Sequence, residues 1–328
     1  MNDMFRHRSP DPGLKPISVP SARLTLGSLV WKTIGVAALA VSIWLLSRQL
    51  RSLSFHELEA SLAALPPTAW LASFGSAVTA YMFLASYDNL ALLYLKKKVS
   101  PLYASTCGAA TYAFAHTVGA SVVSGAIIRY RAYSAKGLTG AEIATLVGFC
   151  TFTFVLGLMA LAGLILIVDP FIVDRFTEPL PINFSSGGRL LVGLAMLYFI
   201  FSLLPLPALK IRNIRIAYPA SAVTLLQLFI STAEIICAAM IIYFALPAEG
   251  NPGAVVVTGV FVLSFAAALV SHSPGGLGVF ELVFVTGLSD MNGPDVLAAL
   301  LVFRLFYFVL PFVCSLAVMS VFEFGRKS

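Results

Sequence analysis

The chain has 328 residues, of which 59% are hydrophobic and only 11% charged, and its mean hydropathy is +0.92. A soluble domain carries about 25% charged residues, so a soluble fold around one large core is excluded and an integral membrane protein is expected. The net charge of +6 is spread too thinly over so apolar a chain to form a nucleic-acid footprint, and it reads as membrane topology.

Met1 to about Gly27 is rich in Pro, Ser and Arg and reads as a disordered cytoplasmic tail. The apolar run Leu29–Leu46 carries Trp31, Lys32 and Trp44 and has no small-residue cleavage site behind it. It is expected to be an uncleaved first helix, at about 28–47. Further spanning helices are expected at 67–95, 140–168, 189–207, 219–246 and 295–322, each with roughly the 20 apolar residues that a bilayer core demands.

Two other apolar stretches, 101–126 and 253–276, have a different character. In the first, 17 of 26 residues are Gly, Ala, Ser, Thr or Cys, which allows close backbone approach and suits a segment that enters the membrane, turns and leaves on the same side. The second runs into Ser271, His272, Ser273, Pro274, Gly275 and Gly276, a break that Glu281 follows. At membrane depth, backbone freed from a helix is tolerated only where it is buried in protein or lines a wet cavity.

The basic residues favour the re-entrant reading. With both stretches re-entrant and the N-terminus cytoplasmic, 15 of 21 Lys and Arg fall on the cytoplasmic side, among them Lys96, Lys97, Lys98, Arg129, Arg131, Lys136, Lys210, Arg212 and Arg215. Arg48, Arg51, Arg175 and Arg189 fall outside, and Lys32 and Arg304 lie within helices. A full crossing at 101–126 would put Arg129, Arg131 and Lys136 outside, against the positive-inside rule. Both termini, including the short tail 323–328, are then cytoplasmic.

The chain also echoes itself. A shift of 150 residues places Ser121 on Ser271, Gly125 on Gly275, Gly137 on Gly287 and Leu138 on Leu288. After a three-residue insertion, Gly140 and Glu142 fall on Gly293 and Asp295. Three crossings separate helix 28–47 from its counterpart 189–207, so the repeats 28–168 and 189–322 would be inverted. Inverted repeats with broken helices mark transporters, with the site near the midplane. The expected fold is therefore an all-α polytopic membrane protein, with about six spanning helices and two re-entrant broken-helix segments.

Cys107, Cys150, Cys237 and Cys314 lie in apolar segments at scattered spacing and read as small core residues. Neither a metal nor a cofactor is expected. His116 and His272 are isolated from any second ligand, and Gly275, Gly276 and Gly278 follow a membrane segment in place of a Rossmann strand.

The charged residues inside apolar segments are the candidate chemistry, because burial there is costly. Asp88 either guides a headgroup from the cytoplasmic side or pairs with Lys96, Lys97 and Lys98. Arg129 and Arg131 can hold a phosphate, although positive-inside anchoring explains them as well. Gln227, Ser231 and Glu234 form one polar stripe on a helix. Arg304 is expected to pair with Glu234 or with Glu281, around a cavity or as a structural lock. Glu281 otherwise reads as an interfacial carboxylate in water, and the 150-residue shift sets it opposite Arg131.

Two motifs carry a family resemblance. SHSPGGLGVFE at 271–281, followed by FRLFYFVLPF at 303–312, and SGAIIRYRAYSAKGLTGAEIA at 124–144 together resemble the membrane domain of the lysylphosphatidylglycerol synthase/flippase family, also called multiple peptide resistance factors. The likeness covers about 28–322. It implies lipid handling in a bacterial inner membrane, where this domain moves an aminoacylated lipid to the outer leaflet and a separate soluble domain makes that lipid. The chain ends just after its last helix, so the synthase domain is not expected within it, and it reads either as a stand-alone member or as the front part of a longer protein.

The resemblance thus points to a flippase or translocase of a polar-headgroup lipid more than to an enzyme. Its expected path is Asp88, Arg129, Arg131, Glu234, His272, Ser273, Pro274, Gly275, Gly276, Glu281, Arg304 and Tyr307. The expected partners are a membrane phospholipid and a separate lipid synthase. Two alternatives remain: a membrane-embedded headgroup transferase using Glu281 with His272, and a scaffold for such a synthase.

Overall fold

The computed structural model describes residues 55–118, 121–177, 184–204, 209–211, 214–216, 218–271 and 276–324. The expected tail 1–27 and first helix 28–47 lie outside the described residues, as do 325–328 of the C-terminal tail.

Among the described residues the fold is helical, apart from a two-stranded antiparallel ribbon, β1 (Leu209–Ile211) with β2 (Ile214–Ile216), between two of the long helices. A short helix α1 (Phe55–Ala64) ends at Pro66-Pro67, where Pro67 opens α2 (Pro67–Tyr94) with a residue that needs no N–H partner. Then come α3 (Pro101–Val118), α4 (Ser121–Ser134) and α5 (Gly140–Val168). A 3-10 turn (Ile172–Arg175) leads to α6 (Phe184–Leu203). Beyond the ribbon lie α7 (Ser221–Ala245), α8 (Ala254–Ser271), α9 (Val279–Gly287), α10 (Gly293–Arg304), a π-helical turn (Leu305–Val309) and α11 (Leu310–Phe324).

Among the described residues, six stretches are long and apolar enough to cross a membrane: Pro67–Tyr94, Gly140–Val168, Phe184–Leu203, Ser221–Ala245, Ala254–Ser271 and Gly293–Ala317. Five of them match spans expected from the sequence. The other, α8, belongs to the stretch expected to be re-entrant, so length and apolarity alone do not separate it from a crossing helix.

The central interface is α2 against α7. The Ser73 hydroxyl donates to the Ile241 carbonyl at 2.9 Å, and Phe83 meets Phe229 edge-on at 5.9 Å, which makes the two helices antiparallel. Small residues set the next interfaces. A Cβ on Gly163 of α5 would sit 2.9 Å from the Gly188 carbonyl of α6, so these backbones meet where no larger side chain fits.

Two helical hairpins pack around this centre. In the first, α3 turns into α4 and the chain returns to where it left. The Tyr103 hydroxyl, near the start of α3, donates to the Ala132 carbonyl near the end of α4 at 3.0 Å, and the Lys136 ammonium lies 4.6 Å over the Tyr103 ring. This base sits beside the start of α5, where Thr139 and Glu142 form a capping box and Glu142 also pairs with Lys97 at 2.7 Å.

The second hairpin is α8 with α9. Gly276 has φ +67°, and a Cβ there would lie 3.0 Å from the Ala268 side chain, so only glycine lets the chain fold back onto α8. At the base of this hairpin, Gly287 approaches Val260 so closely that a Cβ would lie 2.8 Å from it. This base lies beside the turn that follows α5: Phe176 packs on Gly287, and Arg175 donates to the Gly287 carbonyl and to Asp290 at 3.0 Å. The two bases therefore lie near opposite ends of α5, a 29-residue helix about 44 Å long.

Candidate functional site

Buried charges gather where these helices meet. Asp88 of α2 is fully buried, and Gly108 of α3 makes room for it, since a Cβ there would touch its carboxyl carbon at 3.3 Å. The small residues of 101–126 thus admit a buried acid. Asp88 does not pair with the lysines at its own helix end. Arg129 of α4 donates to it through Nε at 3.0 Å and Nη2 at 2.7 Å, and the Tyr133 hydroxyl donates to its other oxygen at 2.7 Å. Arg129 and Tyr133 are one helical turn apart and share a face. The Arg129 guanidinium also lies 4.8 Å over the Tyr112 ring. Arg131, two residues on, is exposed, whereas Arg129 is buried.

The second pair is Glu281 with Arg304. Glu281 caps α9 by accepting from the Gly278 N–H at 2.8 Å, and its other oxygen accepts from Arg304 Nε at 2.7 Å. Their side chains stay 13% and 15% exposed, so this pair is more open than Asp88–Arg129. Arg304 also stands 4.5 Å over the Phe308 ring. Of the two acids expected for Arg304, the partner is Glu281. Gly276 lies close by in sequence, whereas His272, Ser273, Pro274 and Gly275 lie outside the described residues.

Glu234 is held differently. With Gln227 and Ser231 it forms the expected stripe on α7, and all three are buried. Gln227 donates to Thr153 of α5 at 2.7 Å and accepts from Tyr198 of α6 at 3.0 Å. Glu234 accepts only a phenol, from Tyr307 at 2.6 Å. Tyr307 sits in the π turn for a reason visible in the sequence. Its carbonyl would receive the N–H of residue 311, which is Pro311 and has none. The Tyr81 hydroxyl of α2 donates there instead, at 2.9 Å. A π-helical turn of this kind often marks a functional position.

Four buried polar atoms near this point have no hydrogen-bond partner among the described residues: Glu234 Oε2, the Tyr87 hydroxyl, Thr111 Oγ1 and His116 Nδ1. His116 stacks on Tyr307 at 5.7 Å, and Tyr112 lies 5.6 Å from both Tyr87 and His116. Leaving such groups unsatisfied costs about 1–3 kcal/mol each, so the cluster has capacity for a polar guest. Sequence reasoning set His116 aside and missed Tyr81, Tyr87, Thr111, Tyr112 and Tyr133. The signal present was the i, i+4 spacing of Tyr112 with His116 and of Arg129 with Tyr133.

The cysteines divide. Cys107 and Cys150 are buried, with Cys150 Sγ 3.7 Å from Asp88, whereas Cys314 is exposed and therefore not a core residue. Outside the spanning helices, the Arg175 guanidinium holds the Asp290 carboxyl below the usual carboxylate range.

These features define a multi-pass helical membrane protein with charged and polar side chains buried between its helices. The profile of the family described as "Lysylphosphatidylglycerol synthase TM region" matches residues 34–315, and the chain belongs to that family. It is 28% identical to the uncharacterized protein slr0712 of Synechocystis, over 88% of this chain and 90% of that one. It is also 28% identical to the inner membrane protein YbhN of Escherichia coli, over 79% of this chain and 81% of that one. A shorter match, 35% identical over 102 residues, covers 30% of this chain and 12% of the phosphatidylglycerol lysyltransferase of Staphylococcus haemolyticus. The family expected from the two motifs is the family found.

Proposed function

We propose that this protein is a lipid translocase of an inner membrane, passing a polar headgroup between leaflets while the acyl chains stay in the bilayer. The observation that carries this reading is the pair of hairpins with their bases near opposite ends of α5, each carrying one member of an acid–arginine pair inside the bundle, Arg129 with Asp88 and Glu281 with Arg304. Read as re-entrant segments, they reach inward from opposite faces, and α9, with nine residues, is about 14 Å long, too short to cross alone. The open Glu281–Arg304 pair beside the glycine break is then the point where a zwitterionic or charged headgroup exchanges partners, since Arg and a carboxylate together match both signs. Asp88–Arg129 is closed by Tyr133 and anchors the first hairpin. The lipid would come from a separate synthase, and both termini would be cytoplasmic.

The test is purified protein in liposomes holding fluorescent phosphatidylglycerol or phosphatidylethanolamine, with leaflet content read by dithionite quenching. Wild type should redistribute label, and Arg304→Ala should slow it at least tenfold. Wild type that leaves sidedness unchanged under every imposed gradient rejects the proposal.

A further inference from the structure

We propose that Glu234 is the site where this protein takes up and releases a coupling proton, an inference that rests on the translocation reading above. Asp88 and Glu234 lie buried between the helices and Glu281 is partly buried there; Asp88 and Glu281 are each bonded to an arginine. Glu234 has no cationic partner among the described residues. One oxygen accepts the Tyr307 hydroxyl, while the other is buried and unpartnered. A carboxylate in such a place must exchange its charge with something that can come and go.

Among the described residues, the surroundings supply no fixed cation in its place. From α2, Tyr81 and Tyr87 face it, and Tyr307 faces it from the π turn. Cys237 lies one turn along on α7 itself. From α3 come Tyr112 and His116, with His116 stacked on Tyr307. Arg129 covers the far side of Tyr112 and is committed to Asp88. On the other helices against α7, Cys150 of α5 lies against Asp88, Tyr198 of α6 is bonded to Gln227, and Arg304 of α10 is bonded to Glu281. Helix α8 carries no charged side chain.

The step is simple. A proton from one aqueous side adds to Oε2, giving a neutral acid, and the reverse step releases it to the other side. No other bond is made or broken. A neutral acid accepts a phenolic hydrogen bond more weakly than a carboxylate does, so proton uptake loosens Tyr307. Tyr307 belongs to the π turn that follows Arg304 directly. The proton on Glu234 therefore acts on the segment that positions the Arg304–Glu281 pair, and so links proton movement to headgroup exchange.

The test uses the full chain in liposomes with the same fluorescent lipids, with and without a transmembrane pH gradient and a protonophore. Infrared difference spectra between high and low pH follow the carboxylic-acid carbonyl band in parallel. Wild type should show the band, and its lipid movement should rise several-fold under the gradient and fall back with protonophore. Glu234→Gln should lose both the band and the gradient response. Tyr307→Phe, which retains the carboxylate should Glu234→Gln fold poorly, should keep the band and lose the gradient response. A band or gradient response that survives in Glu234→Gln, or a response unchanged in Tyr307→Phe, overturns the proposal. Wild type that moves no lipid but shows a band dependent on Glu234 sinks the translocation reading and leaves the proton site standing.

Discussion

Asp88 and Arg129 show how a charge pair can be mandatory without being favourable. Each is buried and each depends on the other. Removing one partner of such a pair costs about 3–5 kcal/mol, because the remaining charge is stranded, whereas replacing both with apolar groups of similar volume is often neutral. Asp88→Ala is therefore expected to lower the unfolding temperature sharply in detergent, and Asp88→Leu with Arg129→Met to recover most of it. A double variant as unstable as the single one would contradict this account. At this scale the sequence showed that Glu234 and Arg304 needed a partner or water, because their cost in an apolar segment is a one-residue property, whereas Asp88 and Glu281 also read as carboxylates near a helix end or interface. It left open which partner each would take. That choice depends on the rotation of each helix about its axis, which nearly uniform apolarity around α2, α5 and α7 does not encode.

Among the elements, the link from Arg175 to Asp290 ties the turn after α5 to the loop after α9. Because the folded-state value of Asp290 is depressed, its contribution to stability is present above the ordinary carboxylate value of about 3.9. It fades as pH falls through the lower folded-state value. Asp290→Asn should thus resemble wild type only once pH has fallen below that lower folded-state value, and lose part of the wild-type margin at neutral pH. A neutral-pH melting temperature equal to wild type would show the link to be idle, as many exposed pairs are. The spans were legible from runs of apolar residues, within a few residues at each end. The π turn was not read, although Pro311 marks it, because the compensating donor, Tyr81, is more than 200 positions away in the chain.

For the whole molecule, the opposed hairpins make a topological prediction. Lys97 and Lys136 flank the first hairpin and should be accessible from one side only, while Arg175 and Asp290 should be accessible from the other. Single cysteines at Lys136 and Asp290, in a background without exposed native thiols, would report this through labelling of intact cells with a membrane-impermeant maleimide. Labelling of both, or of neither, would break the opposed arrangement. The echo at a 150-residue shift rested on a matching order of helices and breaks. It did not give the contacts at the hairpin bases, which rest on Tyr103, Gly276 and Gly287 as closely packed neighbours.

The antiparallel seam of α2 with α7 joins residues on either side of the ribbon that separates α6 from α7. Much of what holds the bundle together is therefore paired across one peripheral stretch of chain. If the gene were severed there and its two portions expressed together, the products should reassemble in the bilayer and purify as a single complex through a tag on either piece.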